Sequence, residues 1–186
     1  MKIILGKISV DIAKQNRVSD EVFHALLDTF SLCSEDIETL ISLSSMNQSN
    51  KARLCVHPTV ECPVHQMFIA HKKGAYIRPH KHVDKNESML ILQGSADYVV
   101  FNEMGKIDRV VPMEDYSTGH SFFMSIAPDT FHSIVIRSEW LLFFEVVEGP
   151  FERSKTTFPD WSPIVTDRNA VADYMNALDA AIQEFN

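Results

Sequence analysis

From about residue 52 to residue 148 the chain is a succession of short β-prone runs, a pattern that helical bundles and α/β folds do not accommodate. The runs fall near 52–57, 65–71, 75–82, 87–93, 96–102, 106–112, 121–126, 131–137 and 140–148. Turn-forming material separates them: His57-Pro58, Lys73-Gly74, Asp84-Lys85-Asn86, Gly94-Ser95, Asn102 to Gly105, Pro128-Asp129 and Ser138-Glu139. Many short strands punctuated in this way imply a sandwich or barrel. The FF pairs at 122–123 and 143–144 read as core.

The two ends differ from this body. Residues 3–12 partly alternate and suggest one strand, on an edge or across a partner subunit. Between Ser19 and about Met46, Val22, Phe23, Leu26, Leu27 and Phe30 recur at helical spacing, and Ser34 followed by Glu35 and Asp36 reads as a fresh N-cap, so two short helices are expected. The polar run 44–51 reads as the linker into the barrel. After Gly149-Pro150, Phe151, Phe158 and Trp161 are expected to pin an extended tail. Asp167 then opens a last helix with Val171, Tyr174, Met175, Leu178, Ile182 and Phe185 on one stripe. The organisation expected is therefore 1–50, a strand and helical extension; 51–150, the barrel; and 151–186, a tail and helix packed on it.

A length of 186 residues with 45% hydrophobic and 23% charged content suits one folded domain. The formal charge of -8 argues against nucleic acid or an anionic membrane as partner. Cys33, Cys55 and Cys62 form no CxxC pair and read as free thiols. The amino-terminal apolar break is too short for a secretory segment and no later stretch is long enough to span a bilayer, so a cytoplasmic location is the expectation.

Chemistry concentrates in GAYIRPHKHVDKNESMLILQG, residues 74–94. If 75–82 is one strand, Tyr76, Arg78, His80 and His82 share a face. The VDKN turn then returns Glu87 beside them on the next strand. His132, after the turn at Pro128-Asp129, opens a further strand and adds a fourth ligand. Three neutral imidazoles and a carboxylate suit one divalent transition metal, with coordination positions left open; iron, zinc, manganese, nickel and copper all accept such donors.

Gly74, His80, His82, Glu87 and Gly94 meet every spacing of the first cupin motif, G, five residues, HxH, four residues, E, six residues, G, and the chain in this respect resembles the cupins. The second motif is represented by PDTFH ending at His132, one residue short, without its Gly, and with Ile136 in place of the usual Asn. YIRPHKH at 76–82, FNEMGKI at 101–107, EVVEGPF at 145–151 and DWSP at 160–163 are similar to the WbuC family of cupin-fold metalloproteins, over roughly Arg53 to Pro163. The resemblance implies a mainly β, cupin-type double-stranded β-helix (jelly-roll barrel) with short N-terminal helices and a C-terminal helix. It implies a bound metal and an association with surface polysaccharide or O-antigen biosynthesis, with no defined reaction.

Around the ligands, Arg78 is suited to an anionic group of a substrate, Tyr76 to the pocket wall, and either Gln66 or Met67 to the same wall. His65, Tyr98 and Glu145 are the candidate general bases, Glu145 being a charge within an apolar strand that reads slightly better as solvent-facing. His57 and His71 are also possible neighbours of the site; His24 and His120 are set aside. The expected function is a metal-dependent enzyme, an isomerase, epimerase or dioxygenase, acting on a small polar molecule such as a sugar or sugar nucleotide. The alternative is a non-catalytic, metal-dependent module that binds or senses a small ligand. A homodimer is expected, because a barrel of this type exposes an edge for the amino-terminal strand of a partner to cover.

Overall fold

The computed structural model describes residues 16–25, 29 and 31–185. In chain order the elements are β1 (Asn16–Arg17), β2 (Val22–His24), α1 (Ser34–Met46), β3 (Lys51–Cys55), β4 (Val64–Lys72), β5 (Lys81–His82), β6 (Glu87–Gln93), β7 (Ser95–Phe101), β8 (Ile107–Glu114), β9 (Phe123–Ile126), β10 (Phe131–Ile136), β11 (Trp140–Glu148), β12 (Thr156–Thr157) and α2 (Arg168–Phe185). Seven strands form one sheet in the order β1-β2-β3-β4-β11-β6-β9, three form a second in the order β10-β7-β8, and β5 pairs with β12. The non-sequential order, with β11 between β4 and β6, is that of a jelly roll. The mainly β class and the jelly-roll architecture with a C-terminal helix are those expected from the sequence.

Three apolar layers follow from strand alternation. Between the sheets, Met67, Ile69, Met89, Ile91, Leu141 and Phe143 of the large sheet meet Tyr98, Met113, Ile134 and Ile136. On the outer face of the large sheet, Ala52, Leu54, Ala70 and Leu142 pack against Leu40 of α1. On the outer face of the small sheet, Val99, Phe101 and Phe131 pack against Leu178 and Ile182 of α2. Asp167 caps α2, its Oδ1 accepting from the Ala170 amide at 3.1 Å. Gly94, at φ +94°, makes the turn from β6 to β7; a Cβ there would stand 2.2 Å from the Trp140 carbonyl oxygen, so no other residue fits.

The amino-terminal expectations are corrected in part. The strand at 3–12 lies outside the described residues, as do Leu26, Leu27 and Phe30. Val22 and Phe23, expected in a helix, instead form β2, paired parallel with β3 through Val22↔Arg53 and Phe23↔Leu54. Phe23 is buried among Leu40, Leu54 and Ala70, and that burial with the open edge of β3 outweighs helical spacing. The second helix is present, but its cap is Cys33 rather than Ser34, with the Cys33 amide donating to the Asp36 carboxylate at 2.8 Å. The helix also runs three residues into the expected linker, because Ser44 is fully buried and its hydroxyl donates to the Ile41 carbonyl at 2.8 Å. The true connector, 47–50, is organised by Asn47, whose side chain donates to the Lys51 carbonyl and accepts from its amide.

Residues 75–79 are not the continuous strand expected. Cross-links fasten them instead: the Ser133 hydroxyl donates to the Ile77 carbonyl at 2.6 Å, and the His80 and His132 amides exchange hydrogen bonds at 2.9 and 3.1 Å. Trp161 pins the tail, as expected, lying 5.2 and 5.8 Å from the rings of Phe101 and Phe131; Phe158 is half-exposed and packs against Arg78 and His80, whereas Phe151 is mostly exposed. The three cysteines are free. Among the described residues no helix is long and apolar enough to cross a membrane.

Candidate metal centre

Three separate pieces of backbone bring the four ligand candidates together. His80 immediately precedes β5 and His82 is the second residue of β5, Glu87 is the first residue of β6, and His132 is the second residue of β10. The ligand atoms of all four lie within 4.8 Å of one another. Glu87 Oε2 is 2.9 Å from His82 Nε2, and Glu87 Oε1 is 3.5 Å from His132 Nε2.

The other ring nitrogen of each histidine is already engaged. His80 Nδ1 lies 2.9 Å from the Arg78 carbonyl, His132 Nδ1 lies 2.9 Å from the Thr130 carbonyl, and His82 Nδ1 lies 3.3 Å from Thr156 Oγ1. Carbonyls only accept, so the first two rings, in their neutral form, carry their proton on Nδ1 and present an Nε2 lone pair to the cluster. His132 Nε2 is buried without a hydrogen-bond partner. A buried nitrogen left in this way is costly unless something electrophilic meets it, and a divalent cation fits the donor set.

Electrostatics agrees with that fit. Burial above all, then the neighbouring His132 ring, pushes His80 down to about 3, so its imidazole is neutral at ordinary pH. His132 is raised: burial opposes its charge, but the Glu87 carboxylate outweighs burial. Glu87 is held below the usual carboxylate range, the two imidazoles overcoming its own burial. A buried carboxylate kept ionised among three imidazoles is what cation binding requires.

The cluster forms part of the wall of a cavity of about 380 Å³. Tyr76, Arg78, His80 and His82 all reach this cavity, but so does Ile77 of the opposite parity, so strand alternation is not what brings them there. Arg78 is nevertheless spent on the tail: Nε donates to Ser162 Oγ at 3.0 Å, and one terminal nitrogen donates to the Ser162 and Pro159 carbonyls at 3.0 and 3.2 Å. Tyr76 donates to the Pro163 carbonyl at 3.0 Å. Gln66 is not in the wall; it is on the outward face of β4, while Met67 and Ile69 point inward.

Of the candidate bases, Glu145 turns into the cavity rather than to solvent. Burial first, and the Glu87 charge second, push its carboxyl up to about 8 against the pull of Arg53. Tyr98 is buried behind the ligands with its ring stacked on His132 at 5.6 Å, and it is not part of the cavity wall. His65 lines an adjoining cavity of about 300 Å³, stacks on His57 at 4.0 Å, and has Nε2 3.1 Å from the Val60 carbonyl. His24, Cys55 and His57 also lie close together there, but burial raises the Cys55 thiol to about 11 and the Gln66 backbone engages His57 Nδ1. His71, Lys51 and Arg53 complete the wall of the larger cavity. Lys51 and Arg53 escaped sequence reasoning, although their alternation with Ala52 and Leu54 already separated them to one face.

Comparison with known proteins gives a partial family match. Residues 32–113 match the model of a domain of unknown function, DUF6016. No curated protein sequence matches. Among solved structures, protein SO0799 from Shewanella oneidensis is similar over 65% of this chain and 82% of its own, with a TM-score of 0.51 and 8% identity. Oxalate decarboxylase from Bacillus subtilis at pH 4.6 is similar over 58% of this chain and 27% of its own, at a TM-score of 0.46 and 19% identity. Procruciferin, the 11S globulin of Brassica napus, covers 47% of this chain at a TM-score of 0.40 and 15% identity. The chain thus spans about a quarter of the oxalate decarboxylase it matches, and similarity of this depth bears on fold alone. Fold, first-motif spacing and ligand geometry together mark a cupin-type jelly roll that carries a candidate metal-binding group of three histidines and one glutamate.

Proposed function

We propose that this chain is a metal-dependent enzyme of the WbuC type, holding one divalent transition metal through His80, His82, Glu87 and His132. The observation that carries the reading is the buried, unbonded Nε2 of His132 beside an ionised Glu87, at the wall of a cavity. A metal in that position would supply Lewis-acid polarisation of a substrate oxygen. The cavity volume suits a small polar molecule, and a sugar or sugar nucleotide of surface-polysaccharide synthesis is the substrate class the WbuC resemblance supports. Glu145, its carboxyl pushed up by burial and facing the cavity, is the group placed to hold or deliver a proton there. Tyr98 and His65 do not share that wall, which favours Glu145 over both as the acid-base residue.

Elemental analysis of protein purified with iron protected from oxidation tests the ligand set. We expect about one equivalent of a transition metal per chain, and its loss in His132→Ala. A full equivalent retained in that variant would refute the assignment. Turnover of nucleotide sugars or oxygen uptake lost with the metal would support the enzyme; metal binding with an inert pocket would support the ligand-binding module instead. The proposed assembly is a homodimer, for which sedimentation analysis is the direct measurement.

A further inference from the structure

Strand β3 presents its residues the wrong way round for a surface strand. Ala52 and Leu54 point outward and are covered by α1, while Lys51 and Arg53 point inward to the cavity that holds the metal-ligand cluster. Directly across the ladder, Lys51 is paired with His71 and Arg53 with Ile69, so His71 joins the two cations on one face. A sequence with formal charge -8 thus concentrates basic groups inside its own cavity.

The charges of Glu21 and Glu145 reach Lys51 and Arg53, but among the described residues no side-chain hydrogen bond or salt bridge ties these groups down. His71 is 92% buried and its Nδ1 has no hydrogen-bond partner. Glu21 and Glu145 share the wall, but neither forms an ion pair with Arg53. An unpaired guanidinium beside an unpaired imidazole in a recess has the donor geometry for an oxyanion, and burial makes such donors effective. Arg78, with its guanidinium donating to the tail, is not the anion contact.

We infer that Lys51, Arg53 and His71 form an oxyanion subsite, so the substrate is a small molecule with a phosphate or carboxylate at the end remote from the metal ligands. The subsite deepens the reading of the cavity as a substrate site, and depends on that reading only for what the other end of the molecule meets. Its position fits a compact ligand. Glu87 is level with Val147 on β11 and Arg53, through Ile69, with Phe143, four positions along, or roughly 13 Å of backbone. The arginine side chain closes part of that span.

The test uses chelator-treated protein, so that an anion cannot bind through a metal, and titrates inorganic phosphate and acetate separately by calorimetry or ligand-observed NMR. The expected result is saturable binding of at least one of them, weakened about tenfold or more in Arg53→Gln and in His71→Phe. Arg109→Gln, an equal charge change at an exposed residue of β8, should bind as the wild type does. Arg53→Lys keeps the charge and should lie between, which guards against a variant that merely misfolds; circular dichroism of each variant reports folding directly. Absence of saturable binding by wild type, or equal affinity in folded Arg53→Gln, would overturn the subsite. The metal content of the untreated protein is read in parallel. Full metal without anion binding sinks the subsite alone, and anion binding by a protein that never carries metal sinks the metal assignment alone.

Discussion

Arg78 offers a decisive perturbation, because the sequence assigns it to a substrate and the structure gives it to the tail. Its guanidinium makes three hydrogen bonds, to Ser162 Oγ and to the Ser162 and Pro159 carbonyls, and it stands 5.0 Å above the Phe158 ring. Ser162 is buried, so its carbonyl has no ready replacement in water, whereas the Pro159 carbonyl keeps the Ser162 amide and hydroxyl as donors. A hydrogen bond from a charged donor contributes about 1.5–3 kcal/mol. The three share one guanidinium and do not add, so Arg78→Met, which keeps the aliphatic stem, should weaken docking of the tail by about 2–4 kcal/mol.

If the tail opens as a local unit, that loss raises the open fraction roughly 30- to 700-fold. Amide hydrogen exchange followed by mass spectrometry on peptides covering 158–166 measures it. The Ser162 amide, which donates to the Pro159 carbonyl at 3.2 Å, is the most direct reporter. Peptides from β7 and β10 should change little. A change below about threefold in the tail would refute the reasoning and return the Arg78 guanidinium to the cavity as a free anion contact.

Other outcomes follow from burial and charge. Leu40→Ala removes a fully buried side chain between α1 and the large sheet and should cost about 2–5 kcal/mol in denaturant unfolding, leaving metal stoichiometry unchanged. His80 and His71 are both pushed down by burial, so below their ordinary value near 6.5 the unfolded chain binds protons that the folded chain does not. The metal-free protein should therefore lose stability as pH falls from about 6.5 towards 3, and His132, which is shifted the other way, offsets only part of that loss; melting temperature against pH measures it. Glu145 is shifted upward, so its folded form keeps a proton between about 4.5 and 8 that the unfolded chain has released, and stability falls as pH rises through that window. Glu145→Gln should consequently be the more stable protein at pH 9, with loss of a protonated-carboxyl infrared band as the spectroscopic check.

The β-rich body and the four-residue cluster were legible in the sequence because each leaves a short-range imprint. Alternation and turn residues place the strands, and the HxH-to-Glu spacing needs only one hairpin to close. What escaped depends on partners distant in the chain. Val22 and Phe23 look helical until β3 offers an unpaired edge; Arg78 looks available until Pro159 and Ser162 return to it from eighty residues away. The run Lys51-Ala52-Arg53-Leu54 is the most instructive case. Read locally, its period of two puts the charges in water and the apolar residues in the core. The structure inverts this, because α1 covers Ala52 and Leu54 from outside and so leaves Lys51 and Arg53 facing the cavity. The alternation holds in the structure, but its sign is set by a helix just upstream, and that inversion turns the two cations into the cavity.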